Sequence, residues 1–133
     1  MIEKIHHVGL AVKSIDEVAA FWEEVFGGKL ESYSLETPEF LSRMIKVGES
    51  HFELLEPRGK NGLIERFLNT RGEGIHHVSL QVDNVEELLN FCESRGMTLI
   101  MRRFVHPKSA HGVLIELIGS PEARGLSQRM ERS

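Results

Sequence analysis

The chain has 133 residues, 41% of them hydrophobic and 27% charged, a size and mixture that suit one compact folded domain. Its net charge of −4 disfavours a general nucleic-acid binder, and its single cysteine, Cys92, excludes an internal disulfide framework. No apolar run approaches the roughly 18 residues of a membrane span, and the opening MIEKIHH lacks a signal-peptide core. The expectation is a cytoplasmic protein with no nucleic-acid or membrane partner.

Residues 5–12, IHHVGLAV, alternate and are rich in β-branched side chains, which predicts a strand. A helix should follow, with Ser14 and Glu17 as its capping box and Ile15, Val18, Ala19, Trp22 and Phe26 at helical spacing. Gly27-Gly28 ends it, because a left-handed cap costs glycine least. KLESYSL, FLSRMIKV and SHFELLEP are three strand candidates, separated by the turn-like TPE and GES. A short helix around Leu63–Asn69 lies between glycine loops.

Residues 75–82, IHHVSLQV, then repeat the opening phrase at an offset of 70, with six of eight positions identical. Asn84 and Glu87 repeat the cap, and Val85, Leu88, Leu89 and Cys92 repeat the apolar stripe before Gly96. TLIMRRFV and GVLIELIG flank the turn HPKSAHG. Trp22, Phe91 and Cys92 are expected in the core, and the polar tail SPEARGLSQRMERS is expected to fray or dock loosely. An internal repeat of this kind decides the architecture. The fold class is α+β: two tandem β-α-β-β-β modules in a single domain spanning 1–133. Module one covers about 1–57, a linker helix about 58–74, module two about 75–119 and the tail 120–133.

Alternate residues of a strand share a face. His6 lies in phase with Val8, Leu10 and Val12, and is read, like His76, as structural. His7 lies with Gly9 and Ala11, and His77 with Ser79 and Gln81, small or polar neighbours that leave room for a ligand. Glu53 and Glu116 each interrupt an apolar strand at equivalent repeat positions, where a carboxylate is costly unless paired or metal-bound. If the modules pack with twofold pseudosymmetry, His7, Glu53, His77 and Glu116 converge, and two imidazoles with two carboxylates suit a divalent transition metal. Spacing alone leaves a purely structural repeat open.

IHHVGLAV with ELLEP, then GEGIHHVSLQV and HPKSAHGVLIEL, resemble the methylmalonyl-CoA epimerases of the vicinal oxygen chelate superfamily over most of residues 3–118. The resemblance implies a cupped mixed sheet around a divalent metal, held by His7, Glu53, His77 and Glu116. It implies cobalt, with Mn, Ni, Zn and Fe as alternatives, an acyl-CoA substrate and a homodimer. The implied reaction interconverts the R and S forms of methylmalonyl-CoA by proton transfer at C2, with Glu116 as one catalytic acid/base. Alternatives on the same cup are a glyoxalase I-type lyase acting on a glutathione adduct and a non-catalytic small-molecule-binding protein.

Two departures stand out. Ser42 falls where some members of the family carry a glutamate, which leaves the second proton carrier unassigned. Module two is also shorter, with 39 residues from His77 to Glu116 against 46 from His7 to Glu53. Gly96 to His106 is too short for two strands of about five to six residues. RRFVHPKS fits the start of a complete third strand, which favours a missing mobile segment; the other reading is a real shortening of one pocket wall. Arg102, Arg103 and Lys108 are candidate contacts for coenzyme A phosphates, and His106 and His111 flank the pocket mouth.

Overall fold

The structure is a computed structural model that describes residues 1–131. Its elements in order are β1 (Ile2–Ala11), α1 (Ile15–Phe26), β2 (Lys29–Glu36), β3 (Phe40–Val47), β4 (Ser50–Pro57), α2 (Leu63–Arg71), β5 (Gly74–Val82), α3 (Val85–Ser94), β6 (Leu99–Ile100), β7 (Phe104–Val105), β8 (Ile115–Gly119) and α4 (Ser120–Glu131). One eight-stranded sheet runs β2-β3-β4-β1-β5-β8-β7-β6, so each module contributes four strands and the two opening strands meet at the centre. β1 pairs antiparallel with β5 and parallel with β4, as β5 pairs parallel with β8. This is the α+β double module that the repeat predicts.

Both opening helices form for the expected reasons. The Ser14 and Asn84 side chains accept from the amides of Glu17 and Glu87, and Gly27 caps α1 at φ 71°. α1 packs Ile15 and Ala19 on Val12, Ile45 and Leu54, and α3 packs Leu89 on Val82, Val105 and Leu117. These two clusters occupy one face of the sheet. The opposite face carries Ala11, Leu55 and Ile64, where α2 docks.

Three expectations are corrected. Phe91 is 53% exposed, because the buried stripe of α3 runs through Leu89 and Cys92 and leaves Phe91 beside the Arg95 guanidinium. The polar tail is helical: Pro121 opens α4, and Ala123 and Met130 are buried at helical spacing. Residues 132 and 133 of that tail lie outside the described residues. TLIMRRFV is not one strand: between α3 and β8 it folds into a hairpin of two-residue strands, in which the Arg103 amide donates to the Ile100 carbonyl. Its two central residues, Met101 and Arg102, sit at φ 53° and 44°, where glycine, asparagine or aspartate is usual.

Because the Asn84 cap serves an exposed helix start, Asn84→Ala should cost about 1 kcal/mol of stability without changing the fold. Thermal unfolding checks this, and an unchanged midpoint would show that the cap contributes nothing.

Candidate metal centre

The site is built on the central β1–β5 pair. From Ile5–Leu80 to His7–Ser79 the pairing advances two residues on β1 and one on β5, so His6 is a bulge. From Gly9–His77 to Leu10–Ile75 it advances one on β1 and two on β5, so His76 is the matching bulge. A bulge breaks alternation and re-aims side chains. His6 and His7 are therefore both buried, and His6 leaves the helix-packing face that simple alternation assigns to it. Lengthwise pairing sets the rest: His7 lies beside Ser79, Ser79 beside Glu116, and Gly9 beside both His77 and Glu53.

Gly9 is glycine for space. A Cβ there would overlap the His77 ring, which lies directly over the backbone. Gly9→Ala should push that ring aside and lower divalent-ion affinity at least tenfold while leaving thermal unfolding cooperative. Calorimetric titration with Co²⁺ reads this, and undiminished affinity would show that His77 is not needed at the centre.

The four predicted residues come together. His7 Nε2 lies 3.4 Å from Glu53 Oε1, 3.4 Å from Glu116 Oε1 and 3.4 Å from His77 Nε2. His77 Nε2 lies 3.2 Å from Glu53 Oε1 and 3.8 Å from Glu116 Oε1. A metal with bonds of about 2.1 Å sets its ligands about 3.0 Å apart at an octahedral edge and about 3.4 Å apart at a tetrahedral one. The donor atoms of His7, His77 and Glu116 all lie within 4.8 Å of one another, a spread and chemistry that suit a divalent ion, and Glu53 lies within 3.4 Å of both rings.

Every donor has a support. The His6 and His7 Nδ1 atoms are 2.8 Å apart, and those of His76 and His77 are 3.0 Å apart. Ser42, fully buried, donates to Glu53 Oε2 at 2.7 Å. Arg103 Nε donates to Glu116 Oε2 at 3.1 Å and its Nη2 to Glu122 at 2.8 Å. Ser42 is thus an anchor for Glu53. Arg103 faces the cup, while Arg102 turns to Glu86 and Glu93 on α3. His106 caps a short 3-10 turn, and His111 is exposed. Sequence reading missed the histidine–histidine contacts, although the doubled HH at both strand starts was the visible signal.

Burial disfavours a charged His7, but hydrogen bonds and charge from Glu116 and Glu53 outweigh it and raise its pKa to about 9. Burial works against ionised Glu53 and Glu116 too, yet the neighbouring histidines hold Glu53 far below the carboxylate range and Glu116 at about 2. Burial, then the neighbouring His7 or His77, pushes His6 and His76 down to about 4. Both are neutral at pH 7 and free to accept from a neighbour's Nδ1–H.

Two cavities meet at the centre. One, of about 290 Å³, is walled by Leu35, Phe40, Leu55, Ile64 and Phe104 and borders α2. The other, of about 210 Å³, carries Tyr33, Glu122, Leu126 and Arg129 and borders α4. Glu53, Arg103 and Glu116 line both. Ser79, between His7 and Glu116, keeps a buried hydroxyl that has no hydrogen-bond partner among the described residues.

With the geometry in view, the comparisons decide the family. The sequence model described as the glyoxalase/bleomycin resistance protein/dioxygenase superfamily matches residues 6–115. The chain belongs to that superfamily. It is 31% identical over 130 residues to the mitochondrial methylmalonyl-CoA epimerase of Dictyostelium discoideum, covering 87% of this chain and 78% of that one. It is 27% identical over 128 residues to the uncharacterized protein YqjC of Bacillus subtilis, covering 87% and 91%. The crystal structure of methylmalonyl-CoA epimerase from Mycobacterium tuberculosis superposes with a TM-score of 0.80 at 25% identity, over 89% of this chain and 88% of that one. The epimerase resemblance read from the IHHV and HPKS phrases is therefore supported. Among the described residues, no helix is long and apolar enough to cross a membrane.

A ligand histidine must offer a lone pair. His7 is protonated below about pH 9, so binding a divalent ion at pH 7.5 should release close to one proton, and apparent affinity should rise about tenfold per pH unit from 7 to 9. Calorimetry in two buffers of different ionisation enthalpy measures this. Binding without proton release would remove His7 from the ligand set.

Proposed function

We propose that this chain is a metal-dependent epimerase that interconverts the R and S forms of methylmalonyl-CoA by proton transfer at C2. The observation that carries the proposal is the convergence of His7, Glu53, His77 and Glu116 on one buried point, two ligands from each module. The epimerase relatives support the substrate, and cobalt is the ion the resemblance favours.

The ion would supply Lewis-acid stabilisation of the negative charge that develops on the thioester oxygen as C2 loses its proton. The chain's own residues do the rest. His7 and His77 would hold the ion on the central strand pair. The apolar cavity beside α2 would shield one side of the bound substrate from water, which would strengthen charge interactions there.

Inversion needs two acid/base groups, one for each face of the planar carbon. Glu116 is one. Glu53 is the natural second, because it approaches from module one as Glu116 approaches from module two, and Ser42 holds its outer oxygen. Position 42, on the neighbouring strand, is a serine that positions this carboxylate.

Deuterium wash-in at C2 in heavy water tests this directly. The cobalt-loaded protein should exchange both epimers and interconvert them, and a chelator should abolish both. Glu53→Gln keeps a ligating oxygen, so it should retain cobalt but lose at least 100-fold in epimerisation and exchange one epimer only. Two-way epimerisation at the parental rate in that variant would remove Glu53 as a proton carrier. No exchange by the loaded parent chain would overturn the function.

A further inference from the structure

The last helix touches two different metal ligands through one intervening residue each. Ser127 Oγ lies 3.2 Å from His6 Nε2, and the other nitrogen of that ring lies 2.8 Å from His7. One turn and a half earlier, Glu122 accepts from Arg103, whose Nε donates to Glu116. The helix is seated firmly enough to transmit its position: Ala123 and Met130 are buried, and the Ser120 hydroxyl bonds the Val82 carbonyl at 3.1 Å and the Glu3 carboxylate.

We infer that α4 sets the metal affinity of the cup, with His6 and Arg103 as the positioning residues that connect it to His7 and Glu116. This rests on the reading that the four converging residues hold a divalent ion.

The chemistry fixes the direction of each bond. With His7 Nε2 turned to the ion, its Nδ1 carries the proton and donates to His6 Nδ1. His6 then carries its own proton on Nε2 and donates it to Ser127. The ring orientation of a ligand histidine is held by such a partner, and losing one costs about 10- to 100-fold in metal affinity. On the other path, Arg103 neutralises Glu116 and Glu122 together, and its removal from one weakens its hold on the other. Module two supplies an internal control. His76 makes the same contact to His77 but packs against the Phe67 ring of α2, and among the described residues it makes no hydrogen bond to α4.

Because the coupling is an equilibrium one, it is reciprocal: the factor by which a docked α4 raises metal affinity is the factor by which metal raises docking of α4. The test uses Co²⁺ on the full chain, with Ser127→Ala, Glu122→Gln and the double variant. Neither residue is among the four proposed ligands, and only one polar group changes at each. Chelator competition should show a fall in Co²⁺ affinity of about 10-fold or more for the double variant. Ser127→Thr on its own, which keeps the hydroxyl, should bind Co²⁺ with the parental affinity. Hydrogen exchange of the α4 amides should slow when Co²⁺ is added to the parent chain, and slow less in the double variant. Parental affinity in the double variant, or α4 exchange that ignores Co²⁺ in a chain that binds it, overturns the inference. A parent chain that binds no Co²⁺ overturns the metal reading beneath it, so the two failures are told apart.

Discussion

The antiparallel pairing of β1 with β5 is the constraint on which the rest of this molecule depends. It places the two repeats head to tail across a local twofold, and two of its three register shifts are the bulges at His6 and at His76. Had the strands alternated without bulges, the first histidine of each pair would have faced the helix layer. The bulges turn both histidines toward the cup, so that the inner ring of each pair offers Nε2 to the centre and the outer ring holds its Nδ1. β4 and β8, each parallel to its opening strand, then bring Glu53 and Glu116 in register with those rings. Space for the arrangement comes from Gly9, over which the His77 ring lies.

Electrostatics explains why such a site needs a cation. Two buried carboxylates at hydrogen-bond range of the same two imidazoles would be costly to hold ionised without positive charge. In the ion-free chain His7 supplies that charge by staying protonated to about pH 9. A divalent ion held there would displace this proton and supply the balancing positive charge in its place. The protonated and metal-bound forms are therefore two answers to one requirement. The pairs around the rim, Ser42 with Glu53 and Arg103 with Glu116, hold the carboxylates in place under either answer.

Much of this was legible in the sequence because the repeat doubles every signal. Two HH strands, two capped helices and two glutamates in apolar strands fix the double module and the four converging residues, since each inference made on one module is checked on the other. What escaped leaves no mark in composition or spacing. The bulges have no composition of their own, so the partners of His7 and His77 were read as structural residues. α4 has no counterpart in module one, and its apolar positions, Ala123, Leu126 and Met130, are sparse among polar neighbours. Ser42 reads as a lost base from sequence because only packing reveals that its hydroxyl serves Glu53. The shortened hairpin was noticed from spacing, but its tight turn through Met101 and Arg102 uses residues that no turn pattern predicts.

The central claim is that two histidines and two glutamates, one of each from each module, hold a single divalent ion. X-ray absorption at the cobalt edge of the Co²⁺-loaded chain tests it most directly. The account predicts one cobalt per chain with two imidazole ligands in a shell of nitrogen and oxygen at about 2.1 Å. A shell with fewer than two imidazoles, or one made of water alone, would contradict it.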